Sequence, residues 1–349
     1  MKKLALAAAL ALIASSLPAK EVKDHLANSA TLNGVPKKIV IHGILPLPSV
    51  FTVFNGGNDE LIGMPKASKA AATNSLLEKF FPNTKNISTD FDAGKDINLE
   101  ALLKASPDVV FHHAESKPIR EKLDNAKIPA VGFSTAKFKF DSIDTFEGWL
   151  SLLGEVMEKE DKAKGIVEHA KEVQKELNAK LKDAPKKSAV VIFRYKNGQI
   201  TGAGSSFFAG FWLKNAGLEN GYKTDKNTAE LSMEELYVID PDMIFITNFT
   251  QLMPEDMKNP VDNLDFSKLK AVKNGQVFKY PLGMYRYYPP ASEVPLVMKW
   301  MAKTAHPDLF KDMDIAKEMK DFYKRFYGLE ITDEDVKQIL NPPREAGDV

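Results

Sequence analysis

Three of the six histidines, His42, His112 and His113, follow directly on short runs of β-branched and apolar residues. Imidazole groups at strand ends are nitrogen donors of the kind nickel takes. Arg194 and Tyr195 close another such run, with Asn248 just beyond a third. A guanidinium beside a phenol offers planar donors to a carboxylate or an oxyanion. Met284-Tyr285-Arg286-Tyr287-Tyr288-Pro289-Pro290 places a second arginine among tyrosines on a backbone that two prolines stiffen, a composition suited to a planar or anionic chelate. Gly202-Ala203-Gly204-Ser205-Ser206 leads into a helix carrying Trp212. Amides there could hold an anion, although the third glycine and the lysine of a nucleotide loop are absent. The candidate ligand-binding residues are therefore His42, His112, His113, Arg194, Tyr195, Ser205, Ser206, Trp212, Arg286, Tyr287 and Tyr288, with the three histidines as candidate metal donors. The competing reading makes each histidine a satisfied core or loop group, Trp212 a core residue, and Arg286 a salt-bridge partner within an aromatic cluster.

Covalent and redox chemistry has little to work with. The chain has no cysteine, which removes thiolate catalysis, cysteine-held metal clusters and disulfides. G-x-S-x-G, HExxH and the P-loop are missing as well. No enzyme and no permanently bound cofactor are expected; a secreted hydrolase built on His112 or His113 is the remote alternative.

The elements that must position these groups alternate between two periodicities. Ile39–Ile41, Asp108–Phe111, Pro129–Val131, Ala189–Phe193, Met243–Ile246 and Gln276–Phe278 are continuous apolar runs, the pattern of strands covered on both faces. Asn98–Ala105, Lys117–Ala126 and Ser206–Ala216 read as helices between them, which predicts an α/β fold with mostly parallel sheets. From about Lys162 to Lys182, Ile166, Val167, Ala170, Val173, Leu177 and Leu181 fall near a 3.6-residue period, predicting one long amphipathic helix. Ser49, after Pro46-Leu47-Pro48, is the expected cap of the next helix. Leu99–Phe111 overlies Met233–Phe245 at a constant offset of 134, each a helix stopped by Pro-Asp before a buried strand. Pro36-Lys37-Lys38 and Pro185-Lys186-Lys187 open the two halves alike, so two similar lobes joined by a helix are expected.

With 47 basic and 47 acidic residues the chain carries no field to recruit nucleic acid or an acidic membrane. Lys2-Lys3, the apolar run Leu4–Ile13 and the small residues to Ala19 have the zones of a secretory signal, cleaved after Ser16 or after Ala19. A periplasmic two-lobe protein without a lipid-accepting cysteine is the expectation. The expected divisions are residues 1–19 signal peptide, 20–145 first α/β lobe, 146–183 helical region, 184–329 second α/β lobe and 330–349 tail. In that tail a short helix over Asp333–Leu340 is expected, with the last residues frayed and silent.

Gly56-Gly57-Asn58-Asp59-Glu60-Leu61-Ile62-Gly63-Met64, Asn98-Leu99-Glu100-Ala101-Leu102-Leu103 with Pro107-Asp108-Val109-Val110, Ile128-Pro129-Ala130-Val131, the long helix, Leu231–Leu236 and Ala271–Phe278 follow in an order that resembles the helical-backbone periplasmic binding proteins. These serve ABC importers of ferric siderophores, haem, cobalamin and other metal complexes. The resemblance implies two Rossmann-like lobes on one rigid helix, a ligand cleft between them and a monomer. It also implies delivery to membrane permease subunits through one surface glutamate per lobe, at Glu100 and Glu234. A metal complex is the implied cargo, an iron(III) chelate first, with nickel, nickel-histidine, cobalamin, molybdate or tungstate as alternatives.

Overall fold

The computed structural model describes residues 19–347, so the expected signal segment lies outside the described residues. The first lobe opens with an antiparallel hairpin of β1 (Lys20–Lys23) and β2 (Ser29–Leu32). Then follow β3 (Ile39–His42), α1 (Leu47–Asn55), β4 (Leu61–Gly63), α2 (Lys66–Thr73), α3 (Leu76–Phe80), the short pair β5 (Asp92–Ala93) and β6 (Asp96–Ile97), α4 (Leu99–Ala105), β7 (Val109–His113), α5 (Lys117–Asn125) and β8 (Ala130–Phe133). The order β4-β3-β7-β8 is parallel throughout. Helix α1 starts before Ser49, which is buried inside it and caps nothing.

Two helices carry the chain across, α6 (Ser142–Met157) and α7 (Glu160–Leu181). At 22 residues α7 is roughly 33 Å long, and its buried residues are Ala163 and the six read from the sequence. The second lobe contains β9 (Lys187–Lys196), β10 (Gln199–Ala203), α8 (Phe208–Asn215), β11 (Leu218–Asn220), β12 (Thr228–Glu230), α9 (Met233–Ile239), β13 (Met243–Ile246), α10 (Lys270–Lys273) and β14 (Val277–Lys279). Its sheet runs β12-β10-β9-β13-β14, with β11 also on β9; β10 alone is reversed, pairing antiparallel with both β9 and β12 in an otherwise parallel sheet. α11 (Val294–Ala305), α12 (Ile315–Phe322) and α13 (Asp333–Leu340) finish the chain, α11 lying along α7.

The internal repeat is a repeated corner. Ser106 after α4 and Asp240 after α9 both take left-handed backbone at φ 49° and 36° and stop their helices. Asp108 then accepts the Lys37 and Lys38 amides, and Asp242 the Ser188 amide, pinning each lobe's first central strand to its neighbour.

The continuous apolar runs are explained by burial on both sides. Ile39, Ile41, Val109, Phe111, Val191 and Phe245 face one large core that crosses from lobe to lobe through α6, α7 and α11. Val40 and Val110 face a separate cluster under α4 and α5, and Val190, Ile192, Ile244 and Ile246 another in the second lobe.

Candidate functional site

In open α/β sheets a ligand is met at the carboxyl ends of the strands. β9 reaches that end with a bulge: its pairing with β10 shifts so that Phe193 is an extra residue between Ile192 and Arg194. Arg194 is thereby exposed at a cavity of about 400 Å³, whose walls include Tyr195, Phe249, Thr250 and Gln251 from the ends of β9 and β13. The Tyr195 hydroxyl donates to Asp262 Oδ2 at 2.8 Å, and burial together with that carboxylate raises its pKa.

Beside it the loop after β14 turns inward. Arg286 is completely buried, its guanidinium 4.8 Å over the Phe249 ring. Nε and Nη2 donate to the Ala346 carbonyl at 3.2 and 2.9 Å, and Nη1 donates to the Tyr285 hydroxyl at 3.2 Å and to the Ala67 carbonyl of α2 at 3.4 Å. One arginine of the second lobe thus reaches the first. The Leu76 amide donating to the Gly283 carbonyl at 3.1 Å, and the rings of Phe140 and Phe207 at 5.1 Å, close the seam further.

Two buried ionisable groups support the loops of this site. Lys279 Nζ donates to the Thr250 and Leu252 carbonyls at 2.6 and 2.8 Å, and burial lowers its pKa to about 7. Glu293 Oε1 accepts from the Met284 amide and from the Tyr323 hydroxyl, and burial raises its pKa to about 7. Their effects on stability have opposite slopes. Native Glu293 holds its proton more tightly than the unfolded chain does, so its contribution is full below pH 4.5 and is lost as pH rises to about 7. Native Lys279 releases its proton more readily, so stability recovers between about pH 7 and 10.5. Glu293→Gln is expected to flatten the acid limb, a slope worth on the order of 3 kcal/mol. Urea unfolding from pH 4.5 to 7 checks it; an unchanged slope would assign that limb to other groups.

The predicted residues do not all arrive here. The three histidines do not converge, and among the described residues no group of three or more His, Asp or Glu side chains could hold a metal. His42 is buried with Nε2 2.9 Å from the Asp96 carbonyl, and His112 is buried in mid-sheet with Nδ1 2.9 Å from the His113 carbonyl. His113 pairs with Glu115 at 2.9 Å. The expected set of three histidine donors is not brought together: parallel pairing of β3 with β7 puts His42 beside His112, His42 and His113 are each held by a neighbour, and the buried His112 Nε2 has no partner. Trp212 is core, its indole donating to the Tyr288 carbonyl at 2.6 Å, and Tyr287 and Tyr288 are buried in the same mass. Ser205 and Ser206 are exposed; Ser205 lines a separate side groove with Phe140, Asp144 and Lys214, because β10 runs antiparallel and ends at the other side of the sheet.

The sequence reading missed Phe249, Thr250, Gln251, Lys279 and Glu293. Thr250 and Gln251 stood two and three residues beyond the one strand-end residue it noted there, Asn248, which instead ties the Tyr280 and Pro281 carbonyls at 2.7 and 3.1 Å. The tail was also misjudged. α13 spans Asp333–Leu340 as expected, but the chain then continues into a 3₁₀ turn at Arg344–Gly347, where Ala346 and Gly347 are buried rather than frayed.

Two α/β lobes on a connecting helix, with an arginine-bearing cavity at the strand ends, define a solute receptor of the two-lobe class. The chain belongs to the periplasmic binding protein family, whose pattern matches residues 56–282. It is 26% identical over 265 residues to the molybdate-binding protein MolA of Haemophilus influenzae, covering 70% of this chain and 74% of that one. It is 28% identical over 253 residues to the Fe(3+)-citrate-binding protein YfmC of Bacillus subtilis, covering 71% and 74%. A periplasmic solute binding protein from Veillonella parvula superposes with a TM-score of 0.83 at 27% identity, covering 93% of this chain and 97% of that one. The protein is thus a solute-binding protein by family, and the relatives named above bind molybdate and ferric citrate.

Proposed function

We propose that the protein captures a small anionic metal complex, an iron(III) carboxylate chelate first, and passes it to an ABC importer permease. The observation carrying this reading is the pair of arginines at the second-lobe strand ends: Arg286 in the interlobe seam and Arg194 at the cavity rim. Guanidinium forks match carboxylate and oxyanion oxygens, and a buried one does so in a low dielectric. The relatives that bind ferric citrate and molybdate agree in charge. A molybdate-type oxyanion is the second reading, favoured by arginines, rather than imidazoles, at the site. Bare nickel, or nickel held by the three histidines, loses support from their dispersal.

Glu100 and Glu234 are proposed as the permease contacts. Both are exposed in the first turns of α4 and α9, at equivalent positions of the repeated corner. The capping box of α9 uses Glu235, which leaves Glu234 without a capping duty. Melting the purified receptor with ferric citrate, molybdate, haem, cobalamin, or nickel with histidine tests the ligand. Only the true ligand raises the melting temperature as RT ln(1 + [L]/Kd) requires. An anionic complex or molybdate is expected to do so; a response to nickel alone would overturn the reading.

A further inference from the structure

We infer that the C-terminal turn Arg344–Gly347 is a built-in pseudo-ligand: it covers Arg286 at the carboxyl ends of the second-lobe strands and has to leave before an anion can take its place. The inference rests on the anion-receptor reading above for what replaces the turn, but not for the covering itself. The Ala346 carbonyl oxygen receives two N–H donors from one guanidinium, at 3.2 and 2.9 Å, the arrangement a carboxylate or oxyanion oxygen would take. The turn is seated by a separate anchor. Arg344 donates to Asp256 Oδ2 and Oδ1 at 2.6 and 2.9 Å and to the Gln251 carbonyl at 2.9 Å. Its packing spans the seam, against α2 of the first lobe and against Thr250-Gln251 of the second.

Gly347 shows how close the fit is. A Cβ there would stand 2.3 Å from the Thr250 carbonyl carbon and oxygen and 2.6 Å from the Gln251 amide nitrogen, all backbone atoms with little room to yield. An uncharged side chain at 347, such as valine, therefore unseats the turn without changing a charge. The seat is also adjacent to open space, since Arg344 and Gly347 form part of the wall of the 400 Å³ cavity that Arg194 lines. The proposed movement is of the turn alone, with the Nη1 bonds to the Tyr285 hydroxyl and the Ala67 carbonyl left in place.

The test uses the full chain and two full-length variants, Gly347→Val and Arg344→Ala, each first checked by circular dichroism for native helix content. Arginine modification by phenylglyoxal, read peptide by peptide by mass spectrometry, reports cover over Arg286 without any ligand. Calorimetry with ferric citrate and with molybdate reports affinity. Expected are an Arg286 modification rate at least about tenfold faster in both variants and an affinity for one probe at least about tenfold tighter in Gly347→Val. Saturation with that probe should restore protection. Arg286 as slow to react in both variants as in the native chain, or weaker binding by Gly347→Val, would overturn the inference. Faster modification with neither probe bound by any chain would uphold the cover and sink the anion-receptor reading instead.

Discussion

Exchanging Glu100 and Glu234 together for lysine is expected to stop import while the purified receptor binds its ligand within about twofold of the native protein. Each glutamate is exposed on a seven-residue helix and lines none of the cavity at the arginines. Neither is engaged in an ion pair among the described residues, so reversal breaks nothing inside the fold. Against basic permease pockets, two favourable contacts become two repulsive ones, and like charges brought together at an interface cost several kcal/mol. The surroundings fit a buried role for these faces. Leu103 is 53% exposed one turn beyond Glu100, and Val238 is 88% exposed one turn beyond Glu234, unusual positions for large apolar side chains. Vesicles containing the importer and loaded receptor measure transport; import by the doubly reversed protein, or loss of ligand binding, would refute the docking role.

Arg286→Met is the second substitution with a large expected effect. Methionine fills similar volume but supplies no donors, so the carbonyls of Ala67 and Ala346 and the Tyr285 hydroxyl lose the bonds they make to Arg286. Leaving buried acceptors unmet costs about 1–3 kcal/mol each, partly offset because a buried charge disappears. A melting temperature roughly 5–10 °C lower is expected. Affinity for ferric citrate or molybdate should fall at least about 100-fold, since charge-assisted bonds contribute about 1.5–3 kcal/mol apiece and each 1.4 kcal/mol is tenfold. A variant that melts early but binds both anions with native affinity would make Arg286 a purely structural tie.

Much of the scaffold is readable because it is written in local periodicity. The six apolar positions of α7, the strand cores at Ile39–Ile41 and Met243–Ile246, and the Pro-Asp corners need only neighbours in sequence to be recognised. The β9–β10 hairpin carried a local signal too, Asn197-Gly198, both at positive φ, which is the preferred hairpin turn pair. The sequence reading passed over it. The site is less legible because its contacts are long-range. Arg286 meets Ala67 across 219 positions and Ala346 across 60, and nothing in Met284–Pro290 distinguishes a guanidinium facing ligand from one tied to backbone. His42 and His112 mislead for a related reason. A strand-end position is fixed by local pattern, but the direction of the ring depends on whether a distant carbonyl, here that of Asp96, is waiting for it.

The apolar interior shared by both halves has a bearing on how this architecture can be altered. A half cut away at α7 would present a raw greasy wall where Trp149, Leu153, Met298 and Met301 now lie covered. The lobes are therefore not interchangeable cassettes, despite their matching corners, and a graft of one from a relative would have to bring α6, α7 and α11 with it. New cargo preferences are more readily acquired by exchanging loops at the seam than by recombining halves.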